Sequence, residues 1–232
     1  MSSEHPKRSR VLAIGDVHGC LTALKTLVNQ VGFGPDDQII FLGDLVDRGP
    51  DSSGVIDFVI ELEKVGNVRH LVGNHEVMMS AAREDRDNHD FWTSVGGKET
   101  LASYTDQSIE KVPKAHWDFI EAGLPFYEID THFFVHANAW NDHALNEQPD
   151  EILYWERFGD PPPHQNGKIM VCGHTAQKTG QPHNIGHAIC IDTWVFGKTG
   201  WLTCLDVVSG TYWQANQAGE SRSGHISDHL VS

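Results

Sequence analysis

The stretch GDLVDRGP, residues 43–50, follows directly on the apolar run IIFL, residues 39–42. It places two carboxylates, those of Asp44 and Asp47, three positions apart at the end of a predicted buried strand. Two such charges repel each other, and burying them is unfavourable unless a cation or another partner lies nearby. This stretch therefore predicts a site for a positively charged species.

Two further apolar segments end in the same way. Residues 10–16 (RVLAIGD) and 68–76 (VRHLVGNHE) each run from a strand pattern into a glycine followed by polar residues. Residues 20–33 and 52–66, which lie between the three segments, show apolar positions at helical spacing. This β-α-β-α-β pattern predicts a parallel sheet with right-handed crossovers, whose functional groups gather at the carboxyl ends of the strands.

The second half of the chain changes from a helical to a β pattern. Residues 80–123 are predicted to be helical, residues 126–137 to form a hairpin that delivers His136, and residues 168–175 to form a strand that delivers His174. Residues 187–194 and 200–214 read as closing antiparallel strands. We expect residues 1–10 to be a flexible N-terminus, 11–216 a single catalytic domain and 217–232 a polar C-terminal tail.

Five predicted strand ends carry side chains that can bind a metal. Carboxylate, imidazole and amide oxygen without thiolate suit a divalent ion such as Mn, Fe, Zn or Co. The number of such groups suits two ions about 3.5–4 Å apart that share one carboxylate. The candidate side chains are Asp16, His18, Asp44, Asn74, His75, His136 and His174.

The composition narrows the class of protein. The net charge of −15 argues against a broad nucleic-acid or membrane surface. No apolar run is long enough to span a bilayer, and the N-terminus lacks a secretory signal pattern, so we expect a cytoplasmic protein. None of the four cysteines stands in CxxC spacing, which indicates buried free thiols rather than disulfides or a thiolate zinc site.

The blocks GDVHG, GDLVDRG and GNHE, in this order, resemble the signature blocks of the phosphoprotein phosphatase family within the calcineurin-like metallophosphoesterases. The later VHA and CGHT resemble the last two histidine blocks of that family, and LYWERF resembles its tryptophan-arginine segment. The likeness is greatest to the short bacterial and bacteriophage lambda-type Ser/Thr protein phosphatases. It implies a mixed α/β fold with two mixed β-sheets in a central sandwich flanked by helices.

The resemblance also implies roles for individual residues. Asp16 and His18 would bind the first metal, Asp44 would bridge both metals, and the second metal would be held by Asn74, His136 and His174. His75 would be the general acid for the leaving oxygen, oriented by Asp47. The phosphate oxygens would be clamped by Arg48 and Arg157.

The activity implied by the resemblance is hydrolysis of phosphoserine and phosphothreonine, with phosphotyrosine as a further substrate, by direct attack of a metal-bridging hydroxide. The cofactors would be two divalent ions, manganese by resemblance, with Fe, Zn or Co as alternatives. The expected partner is a phosphorylated protein or a small phosphoester, with no nucleic acid, membrane or regulatory subunit.

Two other functions stay open. The first is hydrolysis of dinucleoside polyphosphates of the diadenosine tetraphosphate (Ap4A) type. That branch typically resembles GDIQG and GDLVARG, whereas His18 and Asp47 in this sequence favour the monoesterase. The second is a catalytically silent phosphoprotein-binding module, which usually lacks ligands that are all present in this sequence.

Three residues have open alternatives. Arg157 could instead form a surface ion pair with Glu156 or Asp160. Asn138 stands where the family commonly has aspartate or glycine, which leaves its role open. Asp192 resembles an aspartate of a closing strand in the family, with a supporting or a purely structural role.

Overall fold

The computed structural model of the protein describes residues 9–231 and contains two β-sheets with helices packed against them. Its first part alternates strands and helices: β1 (Val11–Ile14), α1 (Leu21–Val31), β2 (Gln38–Phe41), α2 (Ser52–Val65) and β3 (Asn67–His70). β2 pairs in parallel with both β1 and β3. The predicted β-α-β-α-β unit is therefore confirmed.

A helical segment follows β3 and packs beside the loop that comes after β2. It consists of α3 (Asn74–Ala81), α4 (Arg86–Trp92), α5 (Lys98–Ala102) and α6 (Lys114–Glu121). A π-helical turn between α4 and α5 is interrupted at Gly96, where φ is 133°. A Cβ atom at Gly96 would stand 3.0 Å from the backbone nitrogen of Arg48, so glycine is required for this close approach.

The second sheet is built from the next part of the chain. Its elements are β4 (Phe126–Glu128), β5 (His132–Val135), α7 (Asp150–Trp155), β6 (Ile169–Cys172), β7 (His183–Asn184) and β8 (Ala188–Cys190). β4 and β5 form the predicted antiparallel hairpin. β8 was expected to be antiparallel, but it pairs in parallel with β6 and antiparallel only with β7. The long connection over residues 173–187 makes this parallel pairing possible.

The C-terminal residues belong to the first sheet, in contrast to the predicted polar tail over 217–232. The last three strands are β9 (Leu202–Asp206), β10 (Thr211–Ala215) and β11 (Ser221–His225), and the sheet order is β11-β10-β9-β1-β2-β3. β11 carries polar side chains because it is an edge strand that pairs through its backbone and faces solvent. Ser232 lies outside the described residues.

The two sheets pack face to face, and the helices cover the outer face of the first sheet. Leu12 and Ile14 point toward α1 and α2, whereas Ala13 between them points toward the second sheet, as the period of two in a strand requires. The layer between the sheets also includes Ile40, Leu42, Phe134, Val171, Ile189 and Leu205. The predicted fold, two mixed sheets in a sandwich flanked by helices, is confirmed.

Of the predicted flexible N-terminus, residues 1–8 lie outside the described residues. Arg10 is held in place: its Nε donates to Asp37 Oδ1 at 3.0 Å, and its Nη1 donates to the Val31 carbonyl at 3.2 Å. The ordered domain therefore begins before residue 11.

Two expectations from the composition can be compared with the fold. All four cysteines, Cys20, Cys172, Cys190 and Cys204, are buried and free, as predicted. Within residues 9–231, no helix has both the length and the apolar character that crossing a membrane requires.

Candidate metal centre and active site

The loops that follow β1, β2, β3, β5 and β6 converge at one edge of the sandwich. Because these strands run in parallel within their sheets, their carboxyl ends meet there. The structure brings seven of the predicted site residues together as a buried group: Asp16, His18, Asp44, Asn74, His75, His136 and, less deeply, His174. The predicted convergence of strand ends is therefore observed.

Backbone strain is concentrated at this edge. Of the seven non-glycine residues with positive φ among the described residues, five are predicted site residues: His18, Asp44, Asp47, Arg48 and His174. Such conformations each cost about 1–3 kcal/mol and persist where surrounding contacts hold them in place. Gly73 permits a close approach as well, because a Cβ atom there would lie 2.2 Å from Asp44 Oδ1.

Four acceptor atoms face one another on one side of Asp44. His136 Nδ1 donates to the Leu42 carbonyl at 2.8 Å, and His174 Nε2 donates to the Trp155 carbonyl at 3.1 Å. The second ring nitrogen of each, His136 Nε2 and His174 Nδ1, therefore carries a lone pair. Those nitrogens both lie 3.0 Å from Asn74 Oδ1, and His136 Nε2 lies 3.4 Å from Asp44 Oδ1. None of these four atoms can donate a hydrogen bond to another, so their close approach fits a cation between them. Imidazole, amide and carboxylate are ligands that suit a divalent metal.

A second set of acceptors lies on the other side of Asp44. His18 Nδ1 donates to the Val46 carbonyl at 2.9 Å, so His18 Nε2 carries the lone pair and lies 3.4 Å from Asp44 Oδ2. This nitrogen accepts from Arg48 Nη1 at 2.8 Å, a donor that a metal ion at this position would displace. Asp16 Oδ2 is 4.0 Å from the same nitrogen. Asp44 thus borders both sets, which fits its predicted role as the shared carboxylate.

The tightest groups of potential ligand atoms differ in one respect from the predicted sets. One potential ligand atom from each of Asp44, His136 and His174 lies within 4.8 Å of the other two, and the same holds for His18, Asp44 and His75. The second of these groups contains His75, predicted as the general acid, and not Asp16. The separate roles of Asp16 and His75 therefore stay predictions.

The pKa values of the two site carboxylates, Asp44 and Asp16, are shifted in opposite directions. Burial alone would raise the pKa of Asp44, but the surrounding imidazoles, first of all His136, outweigh it and hold that pKa far below its usual value. Burial raises the pKa of Asp16 well above its ordinary value, and the charges of Asp192 and Asp44 add to this rise. Asp44 is therefore the carboxylate of the group whose ionised form its surroundings favour most.

The pKa values of the site imidazoles are also shifted in opposite directions. Burial lowers the pKa of His18 and His136 and brings that of His174 to about 4, which favours the neutral form that metal ligands need. Burial would lower the pKa of His75 as well, but the carboxylates of Asp44 and Asp47 outweigh burial and raise it. His75 is thus the ring best suited to carry a proton.

A hydrogen-bonded pair of Asp47 and His75 lies beside the acceptor sets. His75 Nδ1 donates to Asp47 Oδ2 at 2.6 Å, while His75 Nε2 is buried without a hydrogen-bond partner among the described residues. Asp47 also accepts from Trp92 Nε1 at 2.9 Å and from Thr100 Oγ1 at 2.6 Å. Sequence reasoning predicted the pair but missed Trp92 and Thr100, which come from the helical segment.

Thr100→Val is expected to move the alkaline limb of the pH–rate profile to higher pH. The change removes one donor from Asp47, which then stabilises the protonated His75 ring more strongly and raises its pKa further. A general acid acts in its protonated form, so activity falls as pH rises through that pKa. The measurement is kcat/KM against pH for both proteins with an alkyl phosphate, whose poor leaving group depends on the general acid. An unchanged or acid-shifted limb would contradict this role.

Glu76 fixes the loop that carries Asp44. Its Oε2 accepts from the backbone nitrogens of Asp44 and Gly73, both at 2.8 Å, and its Oε1 accepts from Leu45 at 2.7 Å and Val46 at 3.2 Å. Burial and the Asp44 charge raise the pKa of Glu76 to about 7. Sequence reasoning missed this residue, although a glutamate three positions after the residue that caps a helix is a capping-box signal.

Glu76→Gln is expected to lower the free energy of unfolding by about 2–6 kcal/mol, because two buried backbone N–H groups lose their acceptor at about 1–3 kcal/mol each. Urea unfolding of the metal-free protein measures this change. The matched control is Glu121→Gln, since Glu121 is exposed and pairs with the exposed Arg83. The control should change stability by less than about 0.5 kcal/mol. Equal changes in both variants would contradict the assignment.

The two predicted phosphate-binding arginines differ in placement. Arg48 is half-buried, its Nη1 donates to His18 Nε2 at 2.8 Å, and its guanidinium lies over the Phe196 ring. Arg157 is exposed, and its guanidinium forms neither a contact with the site nor an ion pair with Glu156 or Asp160 among residues 9–231. Arg48 is therefore already at the site, while the role of Arg157 stays a prediction.

Asn138 has a structural role in the loop that follows β5. Its Nδ2 donates to the Arg157 carbonyl at 3.0 Å, and its Oδ1 accepts from the Ala139 backbone nitrogen at 2.8 Å. It thus joins the loop after His136 to the segment that carries Arg157.

Similar proteins include curated bis(5'-nucleosyl)-tetraphosphatases. The symmetrical enzyme of Pectobacterium atrosepticum is 49% identical over 69 residues, which is 29% of this chain and 24% of that protein. The chain thus aligns with about a quarter of the length of that relative. The asymmetrical enzyme PrpE of Oceanobacillus iheyensis is 29% identical over 220 residues, covering 80% of this chain and 84% of that protein.

The fold is also found among solved structures and family models. The cold-active protein-tyrosine phosphatase of a psychrophilic Shewanella superposes with a TM-score of 0.64 at 18% identity, over 94% of this chain and 80% of that one. The model of the calcineurin-like phosphoesterase family matches residues 9–197. Members of this family use divalent metal ions, which agrees with the two acceptor sets around Asp44. The chain therefore belongs to the calcineurin-like phosphoesterases.

Proposed function

We propose that this metallophosphoesterase hydrolyses dinucleoside polyphosphates of the diadenosine tetraphosphate type. The proposal rests on the similarity to the Oceanobacillus tetraphosphatase, which extends over 80% of this chain. His18 and Asp47 favour a phosphomonoester when the sequence is considered alone, whereas the names of the curated relatives support the alternative.

In this proposal the two acceptor sets hold two divalent ions, with manganese as the expected metal. The residues that would hold them are Asp16, His18 and Asp44 on one side and Asp44, Asn74, His136 and His174 on the other. When bound, such ions act as Lewis acids on a phosphoryl oxygen and make water nucleophilic near neutral pH.

The protein side chains bind the phosphate and supply a proton. Arg48 offers a planar set of donors to phosphate oxygens. His75, oriented by its 2.6 Å hydrogen bond to Asp47, holds a proton at Nε2 toward the oxygen that leaves phosphorus, a contribution that is small for a nucleotide phosphate and large for an alkoxide. Because attack by water is direct, no side chain is required to form a covalent phosphoenzyme.

A phosphomonoester is the second candidate substrate, favoured by the Asp47–His75 pair. A serine or threonine alkoxide is a poor leaving group and needs a proton donor, whereas a nucleotide phosphate leaves readily without one. A buried imidazole with a raised pKa and an orienting carboxylate is a proton donor of the kind that an alkoxide needs.

A comparison of kcat/KM for three substrates tests the proposal. We expect the manganese-loaded protein to cleave diadenosine tetraphosphate with a higher kcat/KM than a phosphoserine peptide or para-nitrophenyl phosphate. Chromatography of the products, either two ADP or AMP with ATP, then identifies the bond that is cleaved. Faster turnover of the peptide would favour the phosphomonoesterase. If the metal-loaded protein hydrolysed none of the three, the silent binding module would be favoured.

A further inference from the structure

A buried aspartate beside the metal centre has an oxygen atom without a partner. Asp192 follows β8 and is 1% exposed. Its Oδ1 accepts from the backbone nitrogen of Trp194 at 2.9 Å, whereas its Oδ2 has no hydrogen-bond partner among residues 9–231. The only other buried side-chain atoms in this condition within that range are His75 Nε2 and Gln30 Oε1. One of these two already belongs to the candidate active site.

Backbone packing brings Asp192 to the strand that carries Asp16. A Cβ atom at Gly15 would lie 2.5 Å from the Ile191 carbonyl oxygen and 3.5 Å from the Asp192 nitrogen. The loop after β8 is therefore pressed against the residue that directly precedes Asp16.

No donor of the described residues lies within hydrogen-bond distance of Asp192 Oδ2. A buried carboxylate oxygen without a donor is strongly destabilising unless a cation compensates it. The two acceptor sets around Asp44 are the nearest place where the structure provides for such cations.

We propose that Asp192 is a further acidic residue of the metal centre, whose free Oδ2 is an acceptor for the divalent ion held at Asp16 or for its water ligands and raises the affinity for that ion. Asp192 acts as a positioning residue in this account, because it need not touch the substrate. The inference concerns metal binding and does not depend on which phosphate compound is hydrolysed.

The test is calorimetric titration of the metal-free protein with Mn²⁺ at pH 7.5, comparing the wild type with Asp192→Asn. Asparagine keeps an oxygen for the Trp194 N–H but removes the charge. We expect the affinity for one of the two ions to fall about tenfold or more, the size typical for side chains that support metal ligands. The melting temperature of the metal-free variant should stay the same or rise, because an uncompensated buried charge has been removed.

The matched control is Asp206→Asn. Asp206 is a buried aspartate at the other end of the first sheet, and both of its oxygens accept hydrogen bonds, from the Val208 nitrogen and the Ser209 hydroxyl. This variant should keep both Mn²⁺ affinities. If Asp192→Asn does not fold, Asp192→Ser is titrated instead, because the serine hydroxyl keeps an oxygen on a short side chain near the Trp194 N–H. Unchanged Mn²⁺ affinities in a folded Asp192 variant would overturn the proposal and leave Asp192 as a structural residue only.

Discussion

Asp44→Asn is expected to remove both divalent ions and, with them, hydrolysis of every phosphate substrate. Asp44 borders both acceptor sets: its Oδ2 lies 3.4 Å from His18 Nε2 and its Oδ1 lies 3.4 Å from His136 Nε2. Removing one partner of a buried charge pair costs about 3–5 kcal/mol. The affinity for each ion should accordingly fall by about 10²–10⁴-fold, at 1.4 kcal/mol for each factor of ten.

Asparagine is the appropriate replacement at this position for two reasons. Asp44 has a φ of 49°, and asparagine tolerates this left-handed conformation better than most residues. The asparagine oxygen can still accept the hydrogen bond that the backbone nitrogen of His75 donates to Asp44 Oδ1 at 3.0 Å. Loss of metal can therefore be attributed to the missing charge rather than to a rearranged loop.

The measurement is manganese content after gel filtration, together with kcat/KM for diadenosine tetraphosphate and para-nitrophenyl phosphate. Asp206→Asn, the buried aspartate outside the site, is the matched control and should keep its metal and its activity. If Asp44→Asn retained both ions at wild-type occupancy, the shared-carboxylate role would be wrong.

The convergence of the candidate ligands could be predicted from the sequence because each of them stands directly after an apolar strand or within a short motif. Asp16 and His18 follow β1, Asp44 follows β2, and His174 follows β6. Parallel pairing then brings these strand ends together without further information.

The residues that support the ligands could not be predicted in this way. Trp92 and Thr100 reach Asp47 across 45 and 53 positions of sequence, through helices whose placement depends on packing. Nothing in the spacing of these residues relates them to Asp47, and buried tryptophan and threonine are usually explained by packing alone. Glu76 was recognisable in principle from the capping-box spacing.

Substrate preference is hard to predict for a related physical reason. In the proposed site, a pair of divalent ions and an arginine would recognise the phosphoryl group, which phosphomonoesters and dinucleoside polyphosphates share. The two substrate classes differ in the leaving group, and His75 is the residue that we propose as the proton donor to that group. Its contribution can be measured separately from metal binding.

His75→Asn is expected to lower turnover of an alkyl phosphate, such as a phosphoserine peptide, by about 10²–10⁴-fold, the usual contribution of a general acid. Para-nitrophenyl phosphate should lose much less, because its phenolate leaves without a proton. Diadenosine tetraphosphate should also lose little, since a nucleotide phosphate is a good leaving group. Manganese content should be unchanged, in contrast to Asp44→Asn. The measurements are kcat for the three substrates and metal content for each variant.

The matched control for this variant is His132→Asn, because His132 is buried in β5 and contacts Thr131 rather than the site. It should keep both metal and turnover. If His75→Asn lost one ion, His75 would be a metal ligand, as its place within 4.8 Å of His18 and Asp44 permits. If instead all three substrates lost the same factor without loss of metal, His75 would bind the phosphoryl group rather than protonate the leaving oxygen. A loss that grows with the basicity of the leaving group is the one result that only a proton donor at Nε2 produces, because neither metal binding nor phosphate binding depends on that basicity.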